Sequence, residues 1–330
     1  MRLLRDELAG QNSGRLRGWP PHRTMKMEAY MYVITGATGN TGSVVANELL
    51  AKRQQVRVIG RNESRLRPLA DKGAEPFVAD LTDQAALRRA FSGAKAVYAM
   101  IPPDMSQQDV LAYQNQIGEA IAGALEQAEV KHVVSLSSLG ADKPDRTGPV
   151  VGLHRFEQRL NWISGLNVLH LRPGYFMENT LAQLGPVQTL GIAAGPLDPD
   201  LKVPMIYTGD IGMAAAGILL KLEFTGQQTR ELLGQRDLTM TEAAEIIGRA
   251  LGFSKLIYRR VSAEQIRPSF LEMGMSPNMA DLLLEMSDAL NSGYMRALEQ
   301  RSARNTTSTS YEAFVEKEFV PRCQKRPAVA

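Results

Sequence analysis

Three glycines spaced three apart, with a β-branched run before them and an apolar-periodic run after, constrain this chain more than any other feature. The stretch is Tyr32-Val33-Ile34-Thr35-Gly36-Ala37-Thr38-Gly39-Asn40-Thr41-Gly42-Ser43. Tyr32 to Thr35 reads as a buried strand, and Val44, Val45, Leu49 and Leu50 recur at helical spacing. A strand that turns straight into a helix leaves the first helical amides unpaired at the turn, with the positive end of the helix dipole behind them. Gly36 permits the tight turn, Gly39 lets a diphosphate approach the backbone, and Gly42 allows close packing of helix on strand. The residues Gly36, Thr38, Gly39, Asn40, Thr41 and Gly42 are therefore expected to seat a dinucleotide.

From Met31 onward short β-branched runs alternate with helical stretches, the pattern of parallel βαβ units. Strands are expected over 32–35, 56–59, 76–79, 96–100, 132–136 and 168–171, with helices over 43–52, 84–91, 107–127 and 153–163. Six strands with intervening helices fit an α/β Rossmann fold, a doubly wound parallel sheet. After Pro173 the chain becomes looser, then mostly helical, which implies a smaller, mainly helical C-terminal lobe. Residues 31–175 are expected to form the NAD(P)-binding domain and 176–330 a substrate lobe interwoven with it. Ser262-Ala263-Glu264-Gln265 and Thr239-Met240-Thr241-Glu242 read as helix starts of the capping-box type. Met273, Met275, Met279 and Met286 are either core filling or an adaptable binding surface. The polar run 305–310 reads as a linker before a last helix.

Charge and cysteine content narrow the function classes. The net charge of +3 is concentrated in residues 1–26, which carry six basic residues against two acidic ones. The remaining body is close to neutral and offers no electrostatic footprint for nucleic acid. No apolar stretch reaches the roughly 18 residues of a membrane helix. A single cysteine, Cys323, excludes an internal disulfide framework and a cysteine-based metal site, and a reducing cytoplasm is the expected compartment. Residues 1–30 are expected to be a disordered or mis-assigned extension, with Met25, Met27 and Met31 just before the first strand.

The end of the second strand discriminates between the two nicotinamide coenzymes. A carboxylate there would bind the adenosine ribose and repel a 2′-phosphate. Arg61 occupies that place in Gly60-Arg61-Asn62-Glu63, and its guanidinium can pair with phosphate, so NADP(H) is favoured over NAD(H). Asp80, just before Leu81, could accept from the adenine amino group or could cap the next helix. Met100, Ile101 and Pro102 end the fourth strand and are expected to wall the adenosine ribose and nicotinamide. Pro173 and Tyr175 follow the sixth strand, where an aromatic side chain could stack on a flat ring or pack in the core.

The glycine stretch, Gly60-Arg61, Val134-Ser135-Leu136-Ser137-Ser138, the run Leu171 to Asn179 and Asp210-Ile211-Gly212 together resemble the NmrA-like group of atypical short-chain dehydrogenase/reductase relatives. The resemblance spans roughly residues 31–319 and implies either an NAD(P)H:quinone oxidoreductase or a non-catalytic NADP(H)-binding redox regulator. In the superfamily's catalytic members a Ser ending the fifth strand is followed by a Tyr and then a Lys. Counted from Ser137, those places fall at Val150 and His154. Valine has no proton to donate, and loss of a general acid costs typically about 10²- to 10⁴-fold. The resemblance also implies a His-x-x-x-Glu pattern, which here reads His154 and Gln158 with Glu157 adjacent. His154 and Ser137 are the candidate catalytic residues and also candidates for holding the coenzyme. His154 could instead be a satisfied polar residue at a pocket edge, and Ser137 could simply end the strand. His132 and His170 read as structural, and no spacing of His, Asp and Glu suggests a metal. A small-molecule acceptor of the quinone type is the expected partner. The long fourth helix is available for packing or for a homodimer.

Overall fold

The computed structural model describes residues 31–325, so the expected N-terminal extension lies outside the described residues. Parallel strands and helices alternate first: β1 (Met31–Ile34), α1 (Asn40–Ala51), β2 (Gln55–Gly60), α2 (Glu63–Ala70), β3 (Glu75–Val78), α3 (Gln84–Phe91), β4 (Ala94–Ala99), α4 (Val110–Gln127), β5 (His132–Leu136), α5 (Val150–Asn161) and β6 (Asn167–Pro173). The lobe follows with β7 (Tyr175–Phe176), a 3₁₀ turn (Met177–Gln183), α6 (Leu184–Leu190), β8 (Ala193–Gly195), β9 (Val203–Ile206) and α7 (Thr208–Lys221). It continues through β10 (Gln227–Leu232), β11 (Arg236–Leu238), α8 (Met240–Leu251), β12 (Tyr258–Arg260), α9 (Ala263–Glu272) and α10 (Pro277–Asn291). The chain then ends in α11 (Tyr311–Phe314), a π turn (Val315–Phe319) and α12 (Val320–Lys325).

The central sheet has seven strands in the order β10-β6-β5-β4-β1-β2-β3, all parallel. Six strands are expected from the sequence; the seventh, β10, is an edge strand of sequence Gln-Gln-Thr-Arg-Glu-Leu. Its four leading positions are not buried, so it lacks the apolar run that marks the interior strands. Strand order reverses between β1 and β4, and ligands of such sheets bind beyond the carboxyl ends at that reversal.

Alternation along β1 builds both cores. Tyr32 and Ile34 join Val45, Leu49 and Leu219 on the α1 and α7 face, while Val33 joins Phe91, Val97, Ile121 and Phe156 on the α3 to α5 face. α4 uses its apolar residues within the chain, packing against α3 and α5. The sequence boundary at residue 175 is crossed by extensive packing: α7 packs on α1, and β10 pairs with β6. The Asp210-Ile211-Gly212 motif explains the first crossing: a Cβ at Gly212 would lie 2.6 Å from Val44 Cβ and 2.8 Å from the Thr41 carbonyl oxygen.

A third core fills the lobe, with Met177, Val187, Met205, Ile247, Tyr311 and Phe314 buried together. Both expected capping boxes form, Thr239 with Glu242 at α8 and Ser262 with Gln265 at α9. The 305–310 run is no loose linker. Asn305 is buried and takes the Ser302 amide on its side chain and the Leu233 amide on its carbonyl, and Thr309 donates to Asp210.

Candidate functional site: the carboxyl ends of the parallel strands

The glycine turn is fixed by sterics at two positions. Gly36 has φ +62°, in the left-handed region, and a Cβ there would lie 2.4 Å from the Met100 sulfur. A Cβ on Gly42 would lie 2.3 Å from the Gly36 carbonyl oxygen, so helix and turn touch backbone to backbone. Gly39 differs, because a Cβ there would meet only that carbonyl, at 3.3 Å, and its other side is open. Gly39 is also the N-cap of α1 and supplies no capping side chain. An open, uncapped helix start with its backbone bared suits the diphosphate of a dinucleotide. β4 braces the turn: Thr35 Oγ1 accepts from the Met100 amide at 2.9 Å, and the buried Tyr98 phenol donates to Thr41 Oγ1 at 3.0 Å.

Arg61 and Asp80 stand near one another beyond β2 and β3. Among the described residues no carboxylate comes within 4.0 Å of the exposed Arg61 guanidinium, which leaves it available to an anion. The Thr82 amide and hydroxyl bond to Asp80 Oδ1 and, with Arg61 beyond them, hold its carboxyl below the usual range. The helix-cap alternative for Asp80 is corrected, since Asp83 caps α3 through the Ala86 amide. Leu81 and Ile101 point into the second core, so only their backbones can meet a ligand, whereas Met100 lies under Gly36.

Beyond β5 and β6, the Leu171 carbonyl accepts from the Ser137 amide at 2.7 Å and the Pro173 carbonyl from the Leu139 amide at 3.0 Å. Ser137 Oγ lies 2.5 Å from Glu157 Oε1, and Arg172 grips the same carboxylate through Nε at 2.9 Å and Nη2 at 2.5 Å. Glu157 is 1% exposed. Burial opposes the Arg172 charge, but its bonds to Glu157 outweigh that and keep the guanidinium protonated. The acid expected near position 158 is thus Glu157, turned inward, while Gln158 is exposed. The sequence signal for this pair was Arg172, a lone charge inside an apolar strand. His154 Nδ1 lies 2.8 Å from the Ala141 carbonyl and so carries the proton, leaving Nε2 as the free nitrogen when the ring is neutral. Val150, where the tyrosine of typical members would stand, is buried against Ala141, Ala289 and Met295.

His170 is structural. It lies between Ser135 Oγ (2.6 Å) and Asn161 Oδ1 (2.9 Å), and burial lowers its pKa to about 4.

Tyr175 opens a cavity of about 740 Å³ in the lobe, bounded also by the 3₁₀ turn, α8, α9, α10 and Tyr311. The methionines divide: Met279 packs with Val110 and Leu282, whereas Met273, Met275 and Met286 line the cavity. Among the described residues no cluster of His, Cys, Asp and Glu could hold a metal, and no helix is long and apolar enough to cross a membrane.

Residues 30–316 match the NmrA-like family. The chain belongs to the NmrA-like family. Quinone oxidoreductase 2 of Escherichia coli is 28% identical over 268 residues, 80% of this chain and 89% of the relative. The (4-alkanoyl-5-oxo-2,5-dihydrofuran-3-yl)methyl phosphate reductase of Streptomyces griseus is 27% identical over 265 residues, covering 80% and 88%. The crystal structure of the NADPH-dependent quinone oxidoreductase of E. coli with NADPH superposes with a TM-score of 0.75 at 26% identity, covering 88% of this chain and all of that one. This NmrA-like chain is thus an oxidoreductase, and the E. coli structure that it resembles was solved with NADPH.

Proposed function

We propose that this NmrA-like protein uses NADPH to reduce a quinone or similar flat electrophile by direct hydride transfer, without a Tyr-Lys pair. The observation that carries the reading is Val150, buried in the core where the proton-donating phenol of typical members would stand. A simple ketone reduced there would become an alkoxide with no Tyr-Lys pair to protonate it, whereas a quinone becomes a resonance-stabilised phenolate that solvent can protonate afterwards. Positioning then supplies most of the catalysis.

When bound, the nicotinamide supplies the hydride. Gly36, Gly39 and Gly42 would seat the diphosphate with the amides of Thr38, Asn40 and Thr41. Arg61 would select the 2′-phosphate, and Asp80 the adenine amino group. Met100, Pro102 and Pro173 would wall the ring, with the backbones of Leu81 and Ile101 at the adenine and ribose. His154 would offer Nε2 to the nicotinamide ribose or, once protonated, give a proton to the product. Ser137, committed to Glu157, holds the β5 end in place beside it.

Purified protein mixed with NADPH and a panel of quinones tests this by the loss of reduced-nicotinamide absorbance. Quinone-dependent oxidation supports the reading. Tight coenzyme binding with no turnover on any quinone overturns it in favour of a redox sensor.

A further inference from the structure

The lobe cavity has a chemical character of its own. At about 740 Å³ it falls within the roughly 300–1,000 Å³ of pockets that take drug-sized molecules. Its walls include Met240, Ile247, Ile266, Phe270, Leu283 and Leu290. Among the described residues that line it there is no Lys, Arg, His or Asp. Glu178 is its one carboxyl group, and that group already accepts from the Thr208 amide and hydroxyl.

Three tyrosines meet there. Tyr258 donates to the Leu197 carbonyl at 3.2 Å, and the Tyr311 hydroxyl is buried with no hydrogen-bonded partner. The nearby Thr180 hydroxyl is spent on the Met177 carbonyl and only weakly opposes the burial that raises the Tyr311 phenol. Tyr175 makes no hydrogen bond through its hydroxyl to any described residue. Protein surrounds it, and burial raises its phenol to about 12, yet it keeps partial exposure because it faces the cavity. With no lysine beside it, this phenol stays neutral and can donate a hydrogen bond.

α9 covers the cavity as a lid. None of its residues is buried, although Ile266 and Phe270 turn apolar side chains to the cavity. It is tied to α10 by the exposed Arg267–Asp281 pair at 2.6 Å. An apolar molecule beneath α9 would give those side chains the packing that the protein alone does not.

Building on the reductase reading, we propose that this cavity is the acceptor site and admits an uncharged, mainly apolar molecule whose carbonyl oxygen accepts a hydrogen bond from Tyr175. A phosphate ester, the substrate class in the name of the Streptomyces relative, is excluded here, because an unpaired anion in an apolar cavity carries a large desolvation cost.

Calorimetric titration of the full chain tests this without turnover, using 2-methyl-1,4-naphthoquinone, its 3-sulfonate and 2-methylnaphthalene as probes. The neutral quinone is expected to bind at least about tenfold more tightly than the sulfonate. Tyr175→Phe is expected to weaken the quinone about fivefold and to leave 2-methylnaphthalene unchanged. Equal binding of the sulfonate, or a quinone affinity indifferent to Tyr175→Phe, overturns the proposal even if NADPH is consumed. The expected binding pattern with no NADPH oxidation sustains the cavity's selectivity and sinks the reductase reading instead.

Discussion

At Gly42 a single added methyl group has no space. Its carbon would lie 2.3 Å from the Gly36 carbonyl oxygen and 2.8 Å from the carbonyl carbon, and both belong to backbone that cannot rotate away. Gly42→Ala is expected to lower stability by about 1–3 kcal/mol, more than Gly39→Ala does, and to weaken NADPH binding as well. Thermal unfolding and coenzyme titration of the two variants check this. On the proposed reading Arg61 acts by charge, not shape. Arg61→Ala is expected to raise the KM for NADPH roughly 10- to 100-fold and to leave NADH nearly unaffected, as steady-state kinetics with the two coenzymes would show. The role of Gly42 in the turn was legible in the sequence because a turn glycine acts within a few residues of its neighbours. The pairing of Glu157 was not, since Ser137 lies just beyond β5 and Arg172 on β6, far from it in sequence.

The elements β5, α5 and β6 are joined by two buried polar sets. Glu157 with Arg172 and Ser137 forms one, and His170 with Ser135 and Asn161 the other. Glu157→Gln leaves the Arg172 charge without its counter-ion and is expected to cost about 3–5 kcal/mol, readable in denaturant unfolding. His170 makes the fold acid-sensitive. Its pKa is about 4 in the folded protein and near the ordinary histidine value of 6.5 when unfolded. Between those values the unfolded chain binds the extra proton, so stability is intact above pH ~6.5 and falls as pH drops towards ~4, by up to about 3 kcal/mol. His170→Asn is expected to flatten that part of the stability–pH curve. Element boundaries were readable where periodicity was strong: the third helix runs from Gln84 to Phe91 as its spacing implies, and β5 from His132 to Leu136. α2 was not, because it contains Pro68 and is mostly polar, and β10 was missed because a half-exposed edge strand carries no apolar signature.

At the scale of the whole molecule, on the proposed reading the sheet supplies the coenzyme end and the lobe the acceptor cavity. Tyr175, two residues past the end of β6, lines that cavity. The Rossmann half was legible because each βαβ unit is local in sequence. The cavity was not, since Tyr175, Met240, Phe270 and Tyr311 meet only after the lobe has folded. Coenzyme binding should stabilise the entire chain, by about 2.7 kcal/mol at a hundredfold excess over Kd, and this gain should vanish in Gly42→Ala. The central claim is that hydride passes directly to a neutral acceptor with no protein phenol acting as acid. Single-turnover mixing of the NADPH-loaded protein with 2-methyl-1,4-naphthoquinone, repeated with NADPH deuterated at the transferred position, tests it most directly. The account predicts rapid loss of reduced-nicotinamide absorbance, slowed by the deuterium and sustained at a similar maximal rate in Tyr175→Phe. Coenzyme that stays reduced in the presence of bound quinone, or a hydride-transfer step abolished by removing that one hydroxyl, would contradict it.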